Sequence, residues 1–271
     1  MPFPRPPLRS RLGLLAVGAA TAFIAACDTS SSFSPDDRLW SFVTINALRN
    51  DAGEHRTAPT AYFFRGAVSS IPNAAIKPDS CFPIEPFVAP TPGFGNVTYL
   101  DAGAAVTTTI GGVATELPRV QASGTLSYNL GTASVAYTPG DSVVITAPGA
   151  AGGYPGFTAR GKTAEAFTMT PLVPAVGATL PVRWSAASDN NSALILSLQF
   201  VPQNTTQRLE IRCAFADDGV DSIPSRFHDL WSNPSNSSRT VVATRLRTLI
   251  AGVGDGGFEL ISTYALPTPT P

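Results

Sequence analysis

From Leu39 onward, apolar residues recur at every second position in short runs, the period of a strand with one buried face. Val97 and Tyr99, then Leu126, Tyr128 and Leu130, then Val135 and Tyr137, then Val143, Ile145 and Ala147 each mark such a face. The pattern is cleanest later on. Leu180, Val182 and Trp184 alternate with polar neighbours, as do Leu194, Leu196, Leu198 and Phe200, and Leu209, Ile211, Cys213 and Phe215. Arg208, Glu210 and Arg212 take the opposite phase of the last run, which turns Cys213 inward and these charges outward. Gly111-Gly112, Gly131 and Pro139-Gly140-Asp141 interrupt the runs as turns. Two closing strands are expected around residues 241–250 and 258–266, joined through the glycine-rich stretch 252–257.

One stretch has a helical period instead. Ile223, Phe227, Leu230 and Trp231 fall at i, i+4, i+7 and i+8, which predicts a short helix over 224–231 with one apolar face. Ser222 stands near its start and Pro224 suits a first turn. His228, beside that face, reads as a surface residue. Residues 71–92 are rich in proline and read as a long, weakly ordered excursion around Cys81, because proline is confined to sheet edges and loops. The run PGAAGGYPG at 148–156 is the best candidate for a domain boundary. The expected organisation is a β-sandwich unit over 38–150 and a second over 151–267, with a disordered tail at 268–271; one large sandwich is the alternative.

The front of the chain has a different grammar. Arg5, Arg9 and Arg11 precede an apolar run over 12–26, and Ala25-Ala26 lead into Cys27. This is the layout of a secretory signal. Fifteen residues at about 1.5 Å each reach roughly 22 Å, short of a ~30 Å hydrocarbon core. The run LGLLAVGAATAFIAAC resembles the lipobox-terminated signal peptide of bacterial lipoproteins. That resemblance implies a signal over 1–26, removal before Cys27, a lipid on the Cys27 thiol, and a flexible tether over 27–37. Plain secretion and an uncleaved anchor are the alternatives. The implied address is the bacterial cell envelope, with the body in the periplasm or at the cell surface.

Composition fits an exported β protein. Without residues 1–26 the chain keeps 15 basic against 19 acidic side chains, so no basic patch favours nucleic acid as a partner. Charged residues are 14 % of the chain, against roughly 25 % in an average globular protein. With Cys27 consumed, Cys81 and Cys213 remain, an even pair that in an exported chain invites a disulfide. Sequence alone leaves open two buried free thiols, since it does not bring them within ~7 Å.

Candidate chemistry is sparse. Gly140-Asp141-Ser142 is similar to the nucleophile block of GDS-type esterases, but it lies mid-chain, and Ser225 stands where a D-x-x-H motif ending at His228 would need its acid. A turn opening a strand is the simpler reading. Asp217, Asp218 and Asp221 could offer carboxylates to Ca²⁺, yet without the rest of an EF-hand loop they read as a tight corner. His55 and His228 are the only histidines and share no metal-ligand spacing. The 252–257 glycines lack the lysine and helix of a phosphate loop. Trp184 and Trp231 share the phase of buried neighbours; Trp40 is freer to stack on a glycan. The expectation is therefore no catalytic residue, no cofactor and no metal.

The segments VRWSAA (182–187), LEIRCAFADDG (209–219) and SIPSRFHDLW (222–231), with LDAGAAVTTT (100–109) and PGDSVVITAPG (139–149), resemble a module of bacterial lipoproteins with immunoglobulin-like sandwiches. The resemblance implies an all-β, immunoglobulin-like antiparallel β-sandwich and brings no activity with it. Together these readings point to a lipid-anchored envelope protein with a structural or binding role, its partner an envelope protein or glycan. A glycan- or Ca²⁺-dependent adhesion module and a hydrolase with an unrecognised site are the rivals.

Overall fold

A strand satisfies its backbone only through neighbours, and the longest alternating runs find theirs around one hairpin. The computed structural model describes residues 38–49, 53–66, 79–84, 97–253 and 256–268. The chain runs through β1 (Leu39–Arg49), β2 (His55–Thr57), β3 (Thr60–Arg65), β4 (Ser80–Ile84), β5 (Thr98–Tyr99) and β6 (Ala105–Ile110). There follow β7 (Val113–Ala122), β8 (Thr125–Asn129), β9 (Val135–Ala136), β10 (Ser142–Ala147) and β11 (Phe157–Lys162). The second half holds β12 (Leu180–Arg183), β13 (Ser192–Val201), β14 (Leu209–Ala216), β15 (Val220–Ile223), the helix α1 (Ser225–Ser232), β16 (Ser237–Val253) and β17 (Gly256–Thr268). Among the described residues the protein is all-β with one short helix.

The main sheet runs β11-β10-β6-β7-β8-β3-β1-β17-β16-β13-β14-β4, while β12 and β15 pair separately. Every pairing among the described strands is antiparallel except one: β1 lies parallel to β17, with Leu39 opposite Gly256. Parallel neighbours need a long crossover, and here the crossover is the whole intervening chain. Alternation along one strand does not reveal the direction of its neighbour, so this pairing was not visible beforehand. The 252–257 glycines do form a hairpin connection, because Val253 pairs with Gly256. Gly257 is needed there: a Cβ on it would lie 2.4 Å from the Trp40 ring.

Two apolar cores share one face of the β16–β17 hairpin. At one end Phe258 and Leu260 pack with Val43, Ile45, Phe63, Val106, Leu117, Val143, Ile145 and Tyr154. At the other, Val241, Ala243 and Tyr264 join Leu180, Val182, Leu194, Leu196, Leu198, Phe200, Ile211, Phe215 and Trp231. The edge strand β11 folds over β17, so that a Cβ on Gly161 would lie 2.9 Å from Leu260. This closes the first core as a sandwich-like layer. Residues 148–156 connect the paired strands β10 and β11.

The first core explains why LDAGAAV and a Pro-Gly turn occur together. Tyr128 is fully buried, and its hydroxyl accepts from Ala102 N–H at 2.8 Å and faces Asp101 Oδ1 at 3.0 Å and Gly103 O at 2.9 Å. Asp101 also accepts Gly103 N–H at 2.8 Å and pairs with Arg119. The Gly103 amide above all, helped by Tyr128 and Arg119, holds its carboxyl below the usual range against the opposing effect of burial. Gly103 has φ +116°, and a Cβ there would sit 2.4 Å from Pro148 Cγ. Tyr128→Phe leaves the Ala102 N–H without its acceptor, so a loss of about 1–3 kcal/mol is expected. Urea unfolding checks it, and an unchanged midpoint would count against this bracket.

Several expectations need correction. Ser80–Ile84, inside the proline-rich excursion, is a strand: β4 pairs with β14 at the sheet edge. Ala216 N–H donates to Asp79 Oδ1, so by strand alternation the even-numbered amides of β14 face β4. Pro83 opposes Ile211, and its missing N–H therefore points off the edge, the one place proline is tolerated. His228 is wholly buried rather than at the surface, with Nε2 donating to Ala178 O. Leu230, counted on the apolar face, is 44 % exposed. The helix is thus rotated to seat His228 and Trp231. Glu210 keeps the outward phase but is buried, bonded to Arg212 at 2.9 and 3.1 Å.

Candidate functional site

Between the two cores the shared face of the hairpin turns polar. Arg245 and Arg247 hold the same phase of β16 as Val241 and Ala243 on one side and Leu249 and Ala251 on the other. Opposite them Ser262 occupies the phase of Leu260 and Tyr264 on β17. Strand alternation forces these charges inward, so their partners must come from the covering layer.

Arg245 is 1 % exposed, and all of its donors are used. Nε donates to Asp217 Oδ2 at 2.6 Å and Nη2 to Asp217 Oδ1 at 2.8 Å and Ser185 O at 2.5 Å. Nη1 reaches Ala166 O at 3.2 Å and Glu165 O at 3.5 Å. Asp217 Oδ1 also accepts Trp184 Nε1–H at 2.7 Å, and the guanidinium lies over Phe167, 5.0 Å from the ring centroid. The fork geometry of arginine makes such a two-oxygen grip specific. Ser262 Oγ meanwhile donates to Ile45 O and accepts Ala164 N–H.

Arg247 completes the layer. Nη2 donates to Asp189 Oδ2 at 2.5 Å; this bond, with the Asn191 amide, holds the Asp189 carboxyl below its ordinary range despite some desolvation. Glu165 accepts from both the hydroxyl and the amide of Ser188, and the hydroxyl is the main reason its carboxyl is also held low. Each carboxylate faces a donor, while Arg247 Nη1 is buried with no hydrogen-bond partner. The layer contains neither a nucleophile beside a base nor an acid kept neutral for proton transfer. It is a polar bracket joining the covering layer to the hairpin. Beside it Thr168, Met169, Thr170, Pro171, Arg183, Trp184 and Ser185 line a shallow groove of about 370 Å³.

The residues singled out from sequence fall in separate places. Cys27 lies outside the described residues. Cys81 and Cys213 form a disulfide between directly opposed positions of β4 and β14. Gly140-Asp141-Ser142 is a turn into β10: Asp141 Oδ2 accepts Thr138 N–H at 2.8 Å, and Ser142 is exposed. His55 packs against Tyr264, its ring centroid 5.4 Å away. Trp184 and Trp231 are core residues, and Trp40 is half-buried over Gly257. Of the aspartates at 217–221, Asp217 is committed to Arg245. Asp221 is instead raised, first by burial and then by Asp79 and Asp218 beside it. Among the described residues no group of three or more His, Cys, Asp or Glu is arranged to hold a metal ion.

Sequence reasoning missed the Arg245–Asp217 bracket and the approach of Asp79 to Asp221. The first had a signal: two arginines in the inward phase of an otherwise apolar strand. The second had none, because it depends on β4 reaching the far sheet edge.

An exposed apolar segment lies at the α1 end. Val173 is 77 % and Val176 94 % exposed, in an uncharged loop over 171–179. The loop is tied to the helix where Gly177 N–H donates to Asp229 and His228 to Ala178 O. No helix among the described residues is long and apolar enough to cross a membrane. No protein-family model matches the chain, and no curated protein matches it.

Proposed function

We propose that this is an exported, lipid-anchored protein of the bacterial cell envelope, whose β body serves a structural or binding role. The observation that carries the reading is the run over 12–27, with its basic flank, short apolar stretch and small residues before Cys27. The Cys81–Cys213 disulfide supports it, because such bridges persist in oxidising compartments. Binding or support is favoured over catalysis because the carboxylates clustered between the cores are engaged by arginines and by Ser188, with no nucleophile set beside a base. The membrane partner is lipid, reached through acylated Cys27; the body's partner is an envelope protein or glycan.

The mature N-terminal peptide tests the anchor. Mass spectrometry should show Cys27 as the first residue, carrying diacylglycerol, and the protein should partition into detergent. Each buried CH₂ contributes about 0.8 kcal/mol and stable anchoring needs more than one chain, so Cys27→Ser should move the protein to the aqueous phase. A mature chain that begins elsewhere, or wild-type protein that stays aqueous, would overturn the proposal.

A further inference from the structure

The strand β4 combines weak attachment with one covalent bond. It is five residues long and lies at the end of the main sheet, with β14 its only strand neighbour among the described residues. The phase set by Asp79 and Ala216 means that only alternate residues of β4 can bond to β14, and Pro83 offers no N–H on the outer side. At its start Asp79 adopts φ +57°, a left-handed conformation unusual outside glycine. Its carboxyl stands beside that of Asp221, and like charges brought together push one another apart. Against this stands the Cys81–Cys213 bridge at the middle of the strand.

We propose that β4 is a redox-released strand: the disulfide keeps it on the sheet, and reduction frees residues 80–84 while the rest of the fold stands. The consequences of cutting the bond are local for a physical reason. Cys213 is buried in the second core, where a free thiol behaves as a small apolar side chain. β14 also keeps eight register pairs with β13 on its other side. The reductant is a dithiol. One thiolate attacks the half-buried Cys81 sulfur, Cys213 leaves with the bonding pair and takes a proton, and the second thiol closes the reagent's own disulfide, releasing Cys81. Two electrons pass from the dithiol to the protein. The uncovered edge is the even-numbered backbone of β14, a row of free donors and acceptors of the kind that takes up an added strand.

Hydrogen exchange on the oxidised protein, before and after treatment with dithiothreitol, tests this. On reduction the amides of Glu210, Arg212, Ala214 and Ala216 should exchange at least about 100-fold faster. Those of Ile211, Cys213 and Phe215, bonded toward β13, should keep their protection. Far-ultraviolet circular dichroism should stay native. Asp79→Asn in the reduced protein should recover part of the lost protection, because it removes one of the facing charges. Unchanged exchange of the even-numbered amides would overturn the proposal by showing that β4 holds without its bond. Loss of protection at odd and even amides alike would overturn it too, since the bridge would then be a staple for the whole fold. If Asp79→Asn has no effect on the reduced protein, the charge contribution is refuted.

Discussion

Replacing Asp217 with asparagine is expected to destabilise the protein by about 3–5 kcal/mol, the range for removing one partner of a buried ion pair. The substitution hardly changes shape. It places an amide N–H₂ against Arg245 Nε or Nη2, or against Trp184 Nε1, all of which are donors aimed at Asp217. The guanidinium, 1 % exposed, then loses the counter-charge bonded to it, and the Glu165 carboxylate acts on it only through space. For a chain of this size each 1 kcal/mol lowers Tm by roughly 2–4 °C, so a fall of at least about 6 °C is expected by calorimetry. The usual rescue, replacing both partners with apolar residues of similar volume, should recover only part of the loss. Arg245 also satisfies the carbonyls of Ser185, Glu165 and Ala166, and Arg245→Met with Asp217→Leu leaves those acceptors buried without donors. Full recovery in the double variant would show that the bracket is a simple ion pair and that its carbonyl contacts carry no weight.

That bracket marks where the sequence is legible and where it is not. The alternation of Leu194, Leu196, Leu198 and Phe200, and of Leu209, Ile211, Cys213 and Phe215, sets the buried face of β13 and β14 because a strand has only two sides. The same rule applied to β16 places Arg245 and Arg247 inward, but nothing local says which acid meets them, since Asp217 and Asp189 come from other elements. Helical phase is less decisive. Ile223, Phe227, Leu230 and Trp231 share a period, yet eight residues permit a rotation that buries His228 and exposes Leu230. Proline misleads near Cys81 for the opposite reason: a residue that disfavours central strands is tolerated in a terminal one, and β4 is terminal. Whether Cys81 meets Cys213 turned on that placement alone.

The other large effect concerns Glu259 and depends on pH. Its place on β17 is opposite in phase to Phe258 and Leu260, so it leaves the first core and stands between Phe42 on β1 and Ile250 on β16. It is 3 % exposed, and Oε1 has no hydrogen-bond partner. With no donor to favour the anion, burial pushes its carboxyl up to about 7 from an ordinary 4.5. The sign follows from linkage. Below the ordinary value the acid is protonated in both states and costs nothing extra. As pH rises toward the folded value, the unfolded chain ionises while the folded one holds its proton, and stability is lost. Above it the loss is complete, on the order of 3 kcal/mol at 1.36 kcal/mol per pH unit. The carboxyls held low, Asp101, Glu165 and Asp189, act in the opposite direction and at lower pH. Glu259→Gln separates the two. The variant should match the wild type near pH 4 and become more stable by about 3 kcal/mol at pH 8, as read from urea midpoints at the two values. A difference that does not change with pH would mean that the Glu259 carboxyl reaches water or a donor after all, and that the wall around it is not dry.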